Sequence, residues 1–146
     1  MHNVDFFGRL IILRGEAANS TLLDGRGAIF TWVPKEDIKE FNLVIFEPGK
    51  VRGNHFHPEF TEFFMVVEGQ VAVFTEEKVT RKSINTLAGP GFVFKAEPFA
   101  PHAIRSITAA KCISMITKPW AECETPIVYE PLTPHDTDYL KYRDSN

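Results

Sequence analysis

The sequence predicts an all-β fold of the sandwich or barrel kind, built by residues 1–146 as a single domain. The chain has 146 residues, an ordinary length for one domain with its own core. Turn signals recur roughly every eight to twelve residues, a spacing typical of antiparallel sandwiches and barrels. The 13 phenylalanines favour strands. Helical periodicity is absent until residues 136–143, which predict one short C-terminal helix.

Strands are predicted wherever an apolar run lies between turn residues rich in glycine and proline. Glu47-Pro48-Gly49 ends one strand, Glu68-Gly69-Gln70 makes a tight hairpin, and Gly89-Pro90-Gly91 makes a corner. Residues 35–40 are polar and allow one helical turn. The predicted strands cover residues 9–13, 28–33, 41–46, a short segment with His55 and His57, and residues 62–67, 71–75, 79–84, 92–94, 102–107 and 111–117.

The strand over residues 62–67 is apolar on both faces, whereas a strand exposed on one face alternates with polar residues. The face opposite Glu62 is therefore expected to be covered, either by the N-terminal strands or by a partner subunit. We expect a homodimer on this ground. The residues on that face are Phe63, Met65 and Val67.

Composition excludes several classes of partner. The net charge is −3 and basic residues form no dense cluster, so we expect neither a nucleic-acid nor a membrane partner. A small anionic ligand such as a nucleotide sugar needs only a few local cations. The apolar run from Leu10 to Leu13 is too short for a signal peptide or a membrane span, which predicts a cytoplasmic protein. Cys112 and Cys123 make no disulfide framework and are expected to be a buried thiol and a loop thiol.

Three potential metal ligands lie between Gly49 and Gly69. His55 and His57 are two residues apart, which places them on one face of an extended strand, and Glu62 opens the next apolar run. His102 opens a later strand and is a candidate fourth ligand. Three imidazoles and one carboxylate suit Zn, Fe(II), Mn, Ni or Cu(II) rather than Ca or Mg. The alternative is a polar pocket that binds no metal.

The stretch from Gly49 to Gly69 resembles the first motif of the cupin superfamily at every specified position. The second cupin motif is matched only at its leading glycine and its histidine. The resemblance implies a cupin barrel, also called a jelly roll or double-stranded β-helix, with a metal held by His55, His57, Glu62 and His102. The departures from the second motif are Glu97, Phe99 and Ser106, where the family has proline, glycine and asparagine.

Two shorter stretches resemble nucleotide-sugar cupins. Arg52-Gly53-x-His55 resembles the signature of dTDP-4-dehydrorhamnose 3,5-epimerases and dTDP-sugar 3,4-ketoisomerases. Gly53-Asn54-His55-x-His57, followed by Glu62, is similar to the C-terminal cupin domain of bifunctional capsular-polysaccharide reductase/epimerases. The resemblance implies an isomerase or epimerase that acts on a nucleotide-linked 4-keto sugar in polysaccharide biosynthesis. In such a reaction a divalent metal stabilises an enolate as a Lewis acid, and a nearby base moves the proton.

The roles of individual residues in such a reaction stay open in the sequence. Arg52 is a candidate for binding a diphosphate or a sugar carboxylate, and the alternative is a surface arginine in a local ion pair. Tyr129 is a candidate general acid, and the alternative is a packing tyrosine. In metal-free ketoisomerases the matching histidines act as the acid and base, but Glu62 and His102 favour the metal. Two other functions fit the motifs, an Fe(II)-dependent cupin dioxygenase and a non-catalytic cupin that binds a small molecule.

Overall fold

The computed structural model describes residues 4–17 and 25–133, and within them the all-β prediction is confirmed. The helix predicted at residues 136–143 lies outside the described residues. In the described part of the chain, one 3-10 turn, Trp120–Glu122, follows β12. The strands are β1 Val4–Phe7, β2 Leu10–Leu13, β3 Glu16–Ala17, β4 Phe30–Thr31, β5 Glu40–Phe46, β6 Val51–Phe56, β7 Glu62–Glu68, β8 Val71–Glu76, β9 Ser83–Ala88, β10 Val93–Ala96, β11 His102–Ser106, β12 Ala110–Ile116 and β13 Val128–Tyr129.

Two large antiparallel sheets enclose the core. One has six strands in the order β1-β2-β10-β7-β12-β5, and the other has five strands in the order β13-β6-β11-β8-β9. β3 and β4 form a separate two-stranded sheet. The buried apolar cluster takes Phe64 and Phe94 from the first sheet and Val73 and Ile104 from the second, so it lies between them.

The segment before β5 differs from its prediction. Residues 28–33 form a strand only at β4, and residues 35–40 form no helical turn. The segment instead follows the outer face of the six-stranded sheet. Trp32 Nε1 donates to the Leu13 carbonyl oxygen at 3.1 Å, and Glu36 Oε2 lies 2.5 Å from Lys95 Nζ. Such tertiary contacts override the weak local propensity of a short polar stretch.

The outer face of β7 is covered only in part. Phe63 is 4% exposed, but Val67 near the other end of the strand is 46% exposed. A largely apolar cavity of about 890 Å³ lies over this face, between the sheet and residues 30–38, and Phe6 of β1 and Ile11 of β2 line it. The N-terminal strands therefore contribute to the cover, which was one of the two alternatives. No helix in the described part of the chain is long and apolar enough to cross a membrane.

Candidate metal centre

Strand pairing brings the four predicted metal ligands together inside the fold. His55 of β6 lies directly opposite His102 of β11, and directly opposite residues share a face of a sheet. His57 lies just after β6, and Glu62 opens β7 in the other large sheet. All four residues are at most 9% exposed. Ring nitrogens of the three histidines lie within 4.8 Å of one another.

A bulge at Gly53 and Asn54 sets the direction of His55. β11 pairs His102 with His55 and its next residue with Gly53, so Asn54 is the additional residue in β6. Gly53 has a φ of +99°, and a Cβ there would lie 2.7 Å from the His102 carbonyl oxygen. Only glycine therefore lets the two strands approach here without displacement.

Backbone carbonyls orient two of the imidazoles. His57 Nδ1 lies 2.9 Å from the Pro126 carbonyl oxygen, and His102 Nδ1 lies 3.1 Å from the Ala100 carbonyl oxygen. Because a carbonyl oxygen only accepts, Nδ1 carries the hydrogen, and a neutral ring keeps its lone pair on Nε2. Metal-bound histidines usually show this arrangement. Burial and the two neighbouring imidazoles hold the pKa of His55 well below its usual value, which favours the neutral form that a metal requires.

Glu62 presents a charged oxygen to these rings. Its Oε1 lies 3.3 Å from His57 Nε2 and 3.0 Å from His102 Nε2. Its Oε2 accepts a hydrogen bond of 2.5 Å from Ser114 Oγ. Burial raises the pKa of Glu62, but the close approach of the His102 and His57 imidazoles outweighs burial and lowers that pKa well below its usual value. Glu62 is therefore a buried carboxylate.

The contact between His102 and Glu62 calls for a cation. Among the described residues, His102 Nε2 has no hydrogen-bond partner, because its 3.0 Å approach to Glu62 Oε1 lacks hydrogen-bond geometry. In a neutral ring, this approach sets a lone pair against a carboxylate oxygen. Two buried acceptors are stable side by side only when a metal ion or added protons lie between them. Ligands about 2.1 Å from a metal lie about 3.0 to 3.4 Å apart, so the two spacings from Glu62 Oε1 to the imidazoles fit a divalent transition metal, while the histidine nitrogens lie within the wider limit of 4.8 Å.

Several residues of the site are specified by neither motif. Phe60 stacks on His57 with ring centroids 4.3 Å apart, and Trp120 approaches that imidazole edge-on at 6.3 Å. Ser114 orients the carboxylate of Glu62. Its signal in the sequence is a polar residue at an inward position of the otherwise apolar run 112–116.

The other two predicted site residues lie beside the cluster. Because of the bulge, Arg52 lies on the same inner face as His55, roughly 10 Å away along the strand. Its side chain is exposed, and its guanidinium carbon lies 5.8 Å from the centroid of the Phe46 ring, within cation–π range. Tyr129 of β13 lies directly opposite His55, on the same face, and is 45% exposed. It therefore lies at the edge of the site and is partly exposed, and its role as a general acid or as a packing tyrosine stays a prediction.

Two of the residues that depart from the second cupin motif have a clear structural role. Phe99 has a φ of +72°, in the left-handed region that the motif's glycine would favour. Ser106 Oγ donates to the Glu47 carbonyl oxygen at 2.5 Å and accepts from the Lys50 backbone nitrogen at 3.2 Å. Ser106 thereby holds the turn that precedes β6.

A comparison with known protein families identifies the family of this chain. The sequence matches the polysaccharide biosynthesis C-terminal domain family over residues 22–124, more than half of its 146 residues. The chain belongs to this family. Among curated proteins, none matches it.

Solved structures similar to this polysaccharide biosynthesis domain include nucleotide-sugar enzymes. The dTDP-6-deoxy-D-glucose-3,5-epimerase of Legionella pneumophila, in complex with dTDP-4-keto-L-rhamnose, has a TM-score of 0.65 and 13% identity over 94% of this chain and 91% of its own. The 3,4-ketoisomerase QdtA of Thermoanaerobacterium thermosaccharolyticum, in complex with TDP, has a TM-score of 0.68 and 12% identity over 96% and 98%. CapF with the inhibitor 3-isopropenyl-tropolone has a TM-score of 0.57 and 15% identity over 90% of this chain and 34% of CapF, so this chain spans about a third of CapF. These similarities confirm the predicted cupin fold.

Proposed function

We propose that this chain is an isomerase or epimerase that acts on a nucleotide-linked 4-keto sugar and binds a divalent transition metal, Zn, Fe, Mn or Ni. The metal ligands are His55, His57, Glu62 and His102. The observation that carries the proposal is the approach of Glu62 Oε1 to two Nε2 atoms whose rings are oriented by carbonyls. The substrate class is supported by the family and by the two similar structures that hold dTDP-4-keto-L-rhamnose and TDP.

A metal bound at these four residues would polarise the keto group and make the neighbouring C–H bonds more acidic. The three histidines are committed to holding the ion, so the proton must be moved by another side chain. Tyr129 lies on the face of His55 at the open edge, where as a general acid it gives its hydroxyl proton to the enolate, while a separate base takes the proton from the C–H bond. Arg52, exposed on the same inner face, binds the diphosphate.

Hydrogen exchange in the substrate tests this function. Metal-loaded protein is incubated in D₂O with TDP-4-keto-6-deoxyglucose and with a UDP-linked 4-keto sugar. Loss of the NMR signals of hydrogens next to the keto group is expected, and Tyr129→Phe slows it about 100-fold or more while the metal stays bound. The proposal is excluded when the loaded protein exchanges neither sugar. Oxygen consumption by an iron-loaded protein supports the dioxygenase instead, and ligand binding without chemistry supports a binding module.

We include a homodimer in the proposal, formed through the outer face of β5. β5 is an edge strand of the six-stranded sheet, and Phe41, Leu43 and Ile45 on its outer face are 77%, 64% and 52% exposed. An apolar row on a sheet edge is a common association surface. Light scattering should give a dimer for the parent and for the turn control Val79→Lys, and a monomer for Leu43→Lys. A monomeric parent contradicts the dimer.

The whole chain, residues 1–146, forms one folding unit in this proposal and works in the cytoplasm. A single domain of this size is expected to unfold in one cooperative transition, which calorimetry detects. Both cysteines, Cys112 and Cys123, are free thiols, as is usual for proteins in a reducing compartment. Two separate calorimetric transitions would contradict the single domain.

A further inference from the structure

Asn54 joins the metal centre to the C-terminal segment of the described chain. It is 1% exposed, has a φ of +58°, and directly precedes His55 in the bulge. Its Oδ1 accepts from the Leu132 backbone nitrogen at 2.8 Å and from the Thr133 backbone nitrogen at 3.2 Å. Its Nδ2 donates to Thr133 Oγ1 at 2.8 Å. These three hydrogen bonds of the buried amide all go to one short stretch of chain.

The backbone of Asn54 holds the same stretch from its other side. The Glu130 backbone nitrogen donates to the Asn54 carbonyl oxygen at 2.8 Å. The residue before it, Tyr129, is the one that pairs with His55. Asn54 therefore bonds Glu130, directly after Tyr129, and also Leu132 and Thr133. The bulge that contains Asn54 also directs His55.

We infer that Asn54 is a positioning residue that keeps Tyr129 beside the metal centre, an inference that rests on the proposed function. β13 is only two residues long and lies at the edge of its sheet, so its own ladder bonds are too few to fix it. Asparagine suits the position because it tolerates a left-handed φ and because its amide both donates and accepts.

Hydrogen exchange of backbone amides tests the connection without any enzyme assay. Asn54→Gly keeps a residue that accepts a positive φ but removes every side-chain bond. The amides of Glu130, Leu132 and Thr133 should then exchange about tenfold faster or more, while elemental analysis finds the metal content unchanged. Ser83→Ala is the matched control, because it removes a different bond to the same segment, from Ser83 Oγ to the Leu132 carbonyl oxygen at 2.7 Å. This control should leave the Glu130 amide as protected as in the parent.

A double-mutant cycle tests the effect on the reaction. Asn54→Gly should lower kcat about tenfold with KM changed less than about twofold, and the loss should vanish when Tyr129 is already phenylalanine. If the kcat losses of the two single variants multiply in the double variant, the inference is overturned, because Asn54 would then act through a group other than Tyr129. A merely stabilising asparagine would leave kcat of the folded enzyme unchanged.

Failure of the inference and failure of the proposed function give different results. If no 4-keto sugar reacts, the exchange experiment alone decides, and unchanged protection of residues 130–133 overturns the inference. If Asn54→Gly does not fold, Thr133→Val replaces it. This variant removes the acceptor of the Nδ2 bond and should speed the exchange of the Thr133 amide. Unchanged exchange in that variant also overturns the inference.

Discussion

Replacing Ser114 with alanine tests whether Glu62 is a metal ligand. Ser114 is 6% exposed, and its hydroxyl donates to Glu62 Oε2 at 2.5 Å while Oε1 faces the histidines. Without this donor, one oxygen of a buried carboxylate has no partner, so the group rotates or takes up a proton. Loss of such a partner of a ligand typically weakens metal binding about 10- to 100-fold, or about 1.4 to 2.7 kcal/mol.

The assay is a competition titration of the metal against a chromogenic chelator, together with thermal unfolding at one fixed metal concentration. The variant should bind more weakly and should gain less thermal stability from the metal, because that gain follows the dissociation constant. Ser106→Ala is the matched control. Ser106 is 1% exposed and also donates at 2.5 Å, but to the Glu47 carbonyl oxygen, so its loss should lower stability and leave metal affinity unchanged. Equal affinity in the Ser114 variant and the parent refutes the reasoning.

Other predictions concern single groups. His55→Ala should abolish stoichiometric metal binding, and retained metal in elemental analysis contradicts the assignment. Burial raises the pKa of Cys112 to about 11, so a thiol reagent near neutral pH should label at most Cys123 before unfolding; two labelled thiols in the native protein would exclude this. Glu36→Gln should cost up to about 1 kcal/mol at neutral pH. Although burial raises the pKa of Glu36, the hydrogen bond to Lys95 lowers it overall, so this stability is lost as the pH falls below 4.5 and the two proteins should converge in acid denaturation curves.

The sequence was most informative where its spacing maps directly onto strand geometry. His55 and His57 are two residues apart on extended chain, so alternation alone places them on one face. Glu62 and His102 each open a strand, and the structure brings all four side chains together. The all-β class was equally accessible, because turn residues at regular intervals leave room only for short strands.

Other parts of the site depend on contacts that cannot be predicted from residue type. The carbonyl oxygens that orient His57 and His102 belong to the backbone, and any residue could supply them. Arg52 and His55 are three apart, so alternation would put them on opposite faces, and only the bulge at Asn54 brings them to the same one. The path of residues 28–38 was likewise not predictable from residue type, because it follows the apolar surface beneath them rather than their own propensity.

The buried cluster also bears on the choice between a metal and a histidine base. A histidine base would be His55 or His57, the two histidines that match the ketoisomerase signature, and the charge of Glu62 can stabilise either an imidazolium or a metal ion. His102 separates the two mechanisms. It lies outside that signature, and its Nε2 approaches Glu62 Oε1 at 3.0 Å in the same buried space. A metal ion gains a third neutral nitrogen ligand from it. His102 therefore supports the metal, and in that case Tyr129, at the edge of the cluster, is the candidate general acid.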